Sequence, residues 1–176
     1  MVEETVLSKS QIQAFESPTR LRIIIALRHR KALSAKEIAE EIGIPADRSY
    51  YHLRKLLDLA LIEEKEFRAT ETKPEAVYQL TATIFHMTNL TGDPGYYESM
   101  VKSADRVLGM ALRQYRENEG YNSDLSHFSF ATGRCNEARM RSIRERLIEI
   151  GKEILESDDP DGKPVILAGL FTQSSK

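Results

Sequence analysis

Two short apolar-periodic segments, parted by a glycine and a proline, constrain this chain more than any other feature of its 176 residues. The first opens with Ser34-Ala35-Lys36-Glu37, a capping box in which the serine hydroxyl and the glutamate carboxylate each satisfy a helix-start N–H group, and Ile38, Ala39 and Ile42 supply its apolar face. Gly43 ends that helix. Pro45 follows at once, and a second helix restarts there and stays periodic over 46–60. Two short helices joined by a tight glycine-containing turn form a helix-turn-helix pattern, whose second helix is the one that enters a groove.

The flanks agree with this pattern. Ser17-Pro18 reads as an N-cap followed by proline at the first helical position, with Leu21, Ile24, Ile25 and Leu27 behind it, so a helix is expected to run to about Arg30. Before it, Leu7, Ile12 and Phe15 mark a short amphipathic helix. After the second helix, 61–67 loses helical periodicity, 68–75 is polar and contains Pro74, and 77–80 resumes a strand-like run. That is a hairpin with a long tip, a wing. The expected class is mainly α with a small β component (α+β), with a winged helix-turn-helix domain over 1–90.

Thr91-Gly92-Asp93-Pro94-Gly95 breaks the chain, and a second region is expected over 96–176. Val101, Ala104, Leu108, Ala111 and Tyr115 recur at three- and four-residue steps, as do Met140, Ile143, Leu147, Ile150 and Ile154. Such stripes call for helix pairing, either within one subunit or between two. Leu125–Ala131 and Val165–Phe171 read as strands around the later helix, an arrangement that would fit a βαβ unit. The turn before the last strand comes from Ser157-Asp158-Asp159-Pro160-Asp161-Gly162.

A net charge of −2 is the first objection to a nucleic-acid partner, and neither half of the chain is basic. Charge is nevertheless unevenly placed. From Ser17 to Lys36 there are Arg20, Arg22, Arg28, Arg30, Lys31 and Lys36 with no acidic residue between them. A phosphate backbone responds to such a local field, screened beyond about 8–10 Å, more than to the chain total. With 41% hydrophobic and 30% charged residues the composition is that of a folded globular protein, without the run of about 18 apolar residues a membrane span needs or the layout of a secretory signal. A cytoplasmic location is expected, and the single cysteine, Cys135, asks for no oxidising compartment.

On a helical wheel, 46–60 places Ser49, Leu53, Leu56, Leu57 and Ala60 toward the core with Tyr50 at the margin. The opposite side carries Asp47, Arg48, Tyr51, Lys55 and Asp58, flanked by Arg54 and His52. Arg48, near the helix start, can offer a bidentate fork to guanine O6 and N7, and Tyr51 can reach a phosphate or a thymine methyl. Arg54 and Lys55 lie further along, where an oblique helix meets backbone phosphates. Arg68 and Lys73 are placed in the wing to reach flanking backbone or minor groove.

Four stretches, taken in order, resemble the ArsR-like winged-helix regulators: Phe15-Glu-Ser-Pro-Thr-Arg-Leu-Arg-Ile-Ile-Ile-Ala-Leu, Leu33-Ser-Ala-Lys-Glu-Ile-Ala, Tyr51-His-Leu-Arg-Lys-Leu and Leu61-Ile-Glu-Glu. The likeness spans roughly residues 10–82. It implies a homodimer on a two-half-site operator of double-stranded DNA, switched by an effector, with Tyr50, Tyr51 and His52 at reading positions. Two departures stand out. The closely spaced cysteine pair of metal-sensing members is absent from 34–42, and Ala60 replaces the glycine usual just before the leucine-isoleucine that begins the wing. No metal or other cofactor is therefore expected, the effector being an unidentified small molecule.

Other classes fit less well. His29, His52, His86 and His127 lack zinc-binding spacing, and Asp124, His127 and Cys135 come without a phosphate loop, nucleophile elbow or paired carboxylates, so no enzyme is expected. The stronger rival is a winged helix used as a protein-interaction module. Arg48, Arg54 and Lys55 on the exposed face favour phosphate over an apolar partner.

Overall fold

The computed structural model describes residues 4–68, 74–82, 84–87, 92–117, 134–157 and positions 165, 167 and 168. Contacts divide the chain into two compact units, Met1–Arg106 and Val107–Lys176. The break expected from sequence at about residue 96 lies ten residues earlier, because the start of the long helix that follows packs with the first unit.

In the first unit the order is β1 (Glu4–Val6), α1 (Lys9–Phe15), α2 (Pro18–Arg30), β2 (Ala32–Ser34), α3 (Ala35–Ile42), α4 (Ala46–Asp58), β3 (Ile62–Arg68), β4 (Glu75–Leu80), β5 (Ile84–His86) and the beginning of α5 (Pro94–Glu117). The capping signals act as the sequence implies. Ser17 Oγ accepts from Arg20 N with Pro18 in the first turn, and the Ser34–Glu37 capping box is complete in both directions. Gly43 sits at φ +62° and closes α3, with its N–H donating to Glu40 O at 3.2 Å while Ile44 N donates to Ala39 O at 2.9 Å. This is a Schellman motif, which consumes carbonyls that the helix end would otherwise leave bare.

The wing belongs to a three-stranded antiparallel sheet in the order β2-β4-β3. β3 and β4 form the hairpin expected from sequence, and residues 69–73 of its tip lie outside the described residues. β2 pairs with β4 through Ala32–Gln79, Leu33–Tyr78 and Ser34–Val77, so the residue that caps α3 also ends a strand. A separate parallel ribbon joins β1 to β5.

Ile12, Ile23, Leu27, Ile38, Leu53, Leu56, Leu61, Ile62 and Val77 are fully buried and draw α1, α2, α3, α4 and the sheet onto one core. Burial of each such aliphatic side chain contributes about 1.5–3 kcal/mol. The result is an α+β winged-helix fold.

The second unit is described chiefly by the end of α5 and by α6 (Glu137–Glu156), capped by Asn136, whose Oδ1 accepts from Arg139 N at 2.9 Å. An i,i+4 pair, Arg141–Glu137, stiffens its first turn. No residue of α6 is buried, and Leu147 and Ile150 of its apolar stripe are exposed. The expected strand over 125–131 lies outside the described residues. So does most of 165–171, where Val165, Leu167 and Ala168 are not in a strand. Among the described residues no helix is long and apolar enough to cross a membrane.

Candidate nucleic-acid interface

The site is built on α4, and α3 fixes how α4 is presented. Ser49, fully buried, donates its hydroxyl to Ala46 O at 2.7 Å and has Ala35 O within 3.3 Å, so the first turn of α4 is pressed against the start of α3. Leu53 and Leu56 continue the same buried stripe. The wheel is accurate for these three. Leu57 is only half-buried, and Ala60 lies exposed beyond the end of the helix, which stops at Asp58 rather than 60.

With that stripe inward, Asp47, Arg48, Tyr50, Tyr51, Arg54, Lys55 and Asp58 are all exposed. Tyr50 and Tyr51 stand out at 56% and 61% exposure, large for aromatic side chains that a core would otherwise take. The wheel puts Tyr50 at the margin of the buried side, whereas in the fold it is exposed. No side chain caps the start of α4, which Pro45 begins, so its first N–H groups add a positive helix end to the cations of this face.

His52 is less open than the rest of the face. Its ring meets that of Tyr51 edge-on with centroids 5.2 Å apart, and its Nδ1 is buried with no hydrogen-bond partner among the described residues. Burial, and then the Arg20 guanidinium, hold its pKa below the ordinary imidazole value. His52 is thus half-buried against Tyr51, with only part of its ring at the surface and its imidazole biased toward the neutral form.

The basic run at 17–36 is largely engaged within the fold. Arg20 donates to Ala14 O at 3.0 Å and to Gln13 O at 3.2 Å, closing the end of α1. Arg28 lies 5.8 Å from the Phe85 ring centroid, and burial lowers its pKa. Arg30 approaches Glu41 at 3.9 Å and Lys36 approaches Glu40 at 4.0 Å, both at the surface. The local positive field therefore rests more on α4 than composition implied.

Arg68 ends β3 opposite Glu75, and its side chain, like all of Lys73, lies outside the described residues. The wing also carries a residue that sequence reasoning passed over. A bulge at Lys65 shifts the register, with Glu64 opposite Tyr78 but Glu66 opposite Val77 and Phe67 opposite Ala76. Because directly paired residues share a sheet face, the extra residue puts Phe67 on the face of Ala76 and Tyr78 instead of that of Val77. Phe67 is 65% exposed there. Burial, then Glu64, Tyr50 and Glu75, raise the pKa of the Tyr78 hydroxyl. An aromatic residue between two charged ones, Glu66-Phe67-Arg68, is the signal in the sequence, but its direction depends on the bulge.

Two short helices joined by a tight turn have a counterpart among known domains. Residues 15–65 match a family model described as a helix-turn-helix domain. This segment is a helix-turn-helix domain. Its two characteristic helices are α3 and α4, and its matched range ends inside β3, so the rest of the wing and everything beyond it fall outside the match. No curated protein matches the chain. A solved structure of a Lactococcus lactis ZitR double mutant in apo form is 17% identical, covering 74% of this chain and 77% of that one, with a TM-score of 0.31, too low a likeness to carry an argument.

The described histidines are not gathered around the helix-turn-helix domain's exposed face. His86 Nε2 lies 3.0 Å from Glu4 Oε2 on the β1–β5 ribbon, and among the described residues no cluster of three or more His, Cys, Asp or Glu is arranged to hold a metal ion.

Proposed function

We propose that this chain is an ArsR-like, sequence-specific regulator of transcription that binds double-stranded DNA as a homodimer in the cytoplasm. The observation that carries the reading is the exposed row Arg48, Tyr51, Arg54 and Lys55 on α4, the groove-entering helix of a helix-turn-helix domain. Arg48 and Tyr51, nearer the helix start, read base edges, with Tyr50 beside them and His52 supporting Tyr51. Arg54 and Lys55 hold phosphates, as do Arg68 and Lys73 in the wing at 68–75. Function lies in binding, not catalysis, and a small-molecule effector acts through the region beyond residue 96.

The half-buried and exposed apolar stripes of α5 and α6 support the dimer, since Val101, Leu112, Leu147 and Ile150 stay exposed in the single chain. Sedimentation at micromolar concentration tests it, with a two-chain species expected and a monomer contradicting it. For DNA, a duplex pool is titrated with the protein at increasing salt. Log affinity falling linearly with log salt supports the reading, with a slope of about −0.9 per phosphate neutralised. Salt-independent or undetectable association opposes it.

One observation favours a second reading. Tyr50 and Phe67 are large exposed aromatics, a residue type suited to a protein partner. Absence of duplex binding, with loss of a protein complex on Tyr50→Ala, would select that reading.

A further inference from the structure

The end of α4 is tied down from outside the helix. Leu59 O accepts a hydrogen bond from Gln11 Nε2 of α1 at 3.0 Å, and Ala60 O accepts from Thr81 Oγ1 at 2.8 Å. The helix itself satisfies Lys55, Leu56 and Leu57 carbonyls through the N–H groups of Leu59, Leu61 and Ala60. Gln11 therefore takes a carbonyl that α4 cannot reach with its own backbone.

The same amide has a second task. Gln11 Oε1 accepts from Ser8 N at 2.9 Å and lies 3.0 Å from Ser8 Oγ, completing the capping box that starts α1. The two neighbours leave one orientation for the amide, because Ser8 N–H can only donate and Leu59 O can only accept. A capping box alone is served equally by glutamate, as Glu37 serves α3. A glutamine at position 11 is needed for its nitrogen, and that nitrogen points at α4.

α1 is in turn held by α5. Ser103 Oγ donates to Ile12 O at 3.0 Å, Tyr96 OH donates to Leu7 O at 3.0 Å, both buried, and Lys9 pairs with Asp93 at 3.3 Å. A continuous set of hydrogen bonds within the first unit thus runs from α5 through α1 to the last turn of α4.

We propose that Gln11 is a positioning residue for DNA recognition, fixing the tilt of α4 against α1 so that Arg48, Tyr51 and Lys55 meet the groove together. The inference rests on the DNA-binding reading above. It makes the amide nitrogen, rather than the capping oxygen, the group that matters to affinity.

The test compares the full-length native chain with Gln11→Glu, which keeps an acceptor for Ser8 N–H and removes the donor to Leu59 O. Binding to a duplex pool is measured alongside residue-resolved amide exchange. Expected are a weakening of DNA affinity by about three- to tenfold and faster exchange at Ala60 and Leu61, with exchange at Ile12, whose N–H bonds within α1, unchanged. If Gln11→Glu does not fold, Gln11→Met, similar in length and without hydrogen-bonding groups at its end, carries the same DNA comparison. Equal affinity of a folded variant and the native chain, the latter binding well, overturns the inference alone. A native chain that binds no duplex overturns the DNA-binding reading and the inference with it.

Discussion

Leu61 N–H donates to Leu56 O at 3.0 Å across Ala60, which sits in the left-handed region at φ +50°. Ala60 N donates to Leu57 O at 2.8 Å, so α4 ends in the same Schellman arrangement as α3, with alanine at the position Gly43 occupies there. The two helices of one motif therefore stop by the same geometry at different energetic cost, since a Cβ in this region is strained and a glycine is not.

Ala60→Gly should stabilise the first unit by about 0.5–1 kcal/mol, relief of strain outweighing the added freedom of the unfolded chain. Chemical denaturation of the full chain measures it. An unchanged or lowered midpoint would mean that the left-handed turn at Ala60 is not strained.

Acid should weaken the fold in a window above that of the carboxylates. His52, half-buried, has its pKa lowered by burial and then by Arg20, and His29, at the surface, has its pKa lowered by partial desolvation and Arg28 against the opposing pull of Glu41. The folded state thus binds fewer protons than the unfolded state just below the ordinary imidazole value of 6.5. Stability from keeping these rings neutral is complete above that value and is lost as pH falls from it through the lower folded pKa values. Thermal midpoints should drop between about pH 7.5 and pH 5.5, and His52→Gln should shallow the drop. A midpoint flat over that range would contradict the burial of the His52 ring.

The local signals of the helix-turn-helix were legible because each is a short-range hydrogen-bond choice. Ser34 with Glu37, Gly43, and Ser17 with Pro18 set helix ends within three or four residues of themselves. β2 was not legible, being three residues long and a strand only because Leu33 and Ser34 pair with Tyr78 and Val77. β1 and β5 pair across almost eighty residues of sequence, beyond any local pattern. The wheel has His52 at the flank, where it is half-buried, but Tyr50 at the buried margin, where it is exposed, because it knows one helix and not the elements packed on it. The face of Phe67 turned on one inserted residue, Lys65.

Arg48 and Lys55 should separate in their effects. Arg48→Ala should reduce discrimination between duplex sequences by about 1–3 kcal/mol. Lys55→Ala should weaken all sequences alike and lower the salt slope by about 1. Competition binding over a panel of duplexes checks both. Equal losses on every sequence from both variants would dissolve the distinction between reading and holding.

Phe67→Ala should lower DNA affinity while leaving the thermal midpoint almost unchanged, since the side chain is mostly exposed and its removal opens no cavity. An effect of about threefold or more on affinity would place the wing against the duplex, where an apolar side chain can press on sugar or wedge at a base step. Unaltered affinity would confine recognition to α4.

The most direct measurement is selection of bound duplexes from a random-sequence pool by the purified full-length chain, followed by sequencing. Enrichment of a two-fold symmetric site whose half-sites lie about one helical turn, 34–36 Å, apart is the result expected of a dimer presenting two copies of α4. Recovery of an unselected pool, or of no duplex at any salt concentration, would contradict a sequence-specific DNA-binding function.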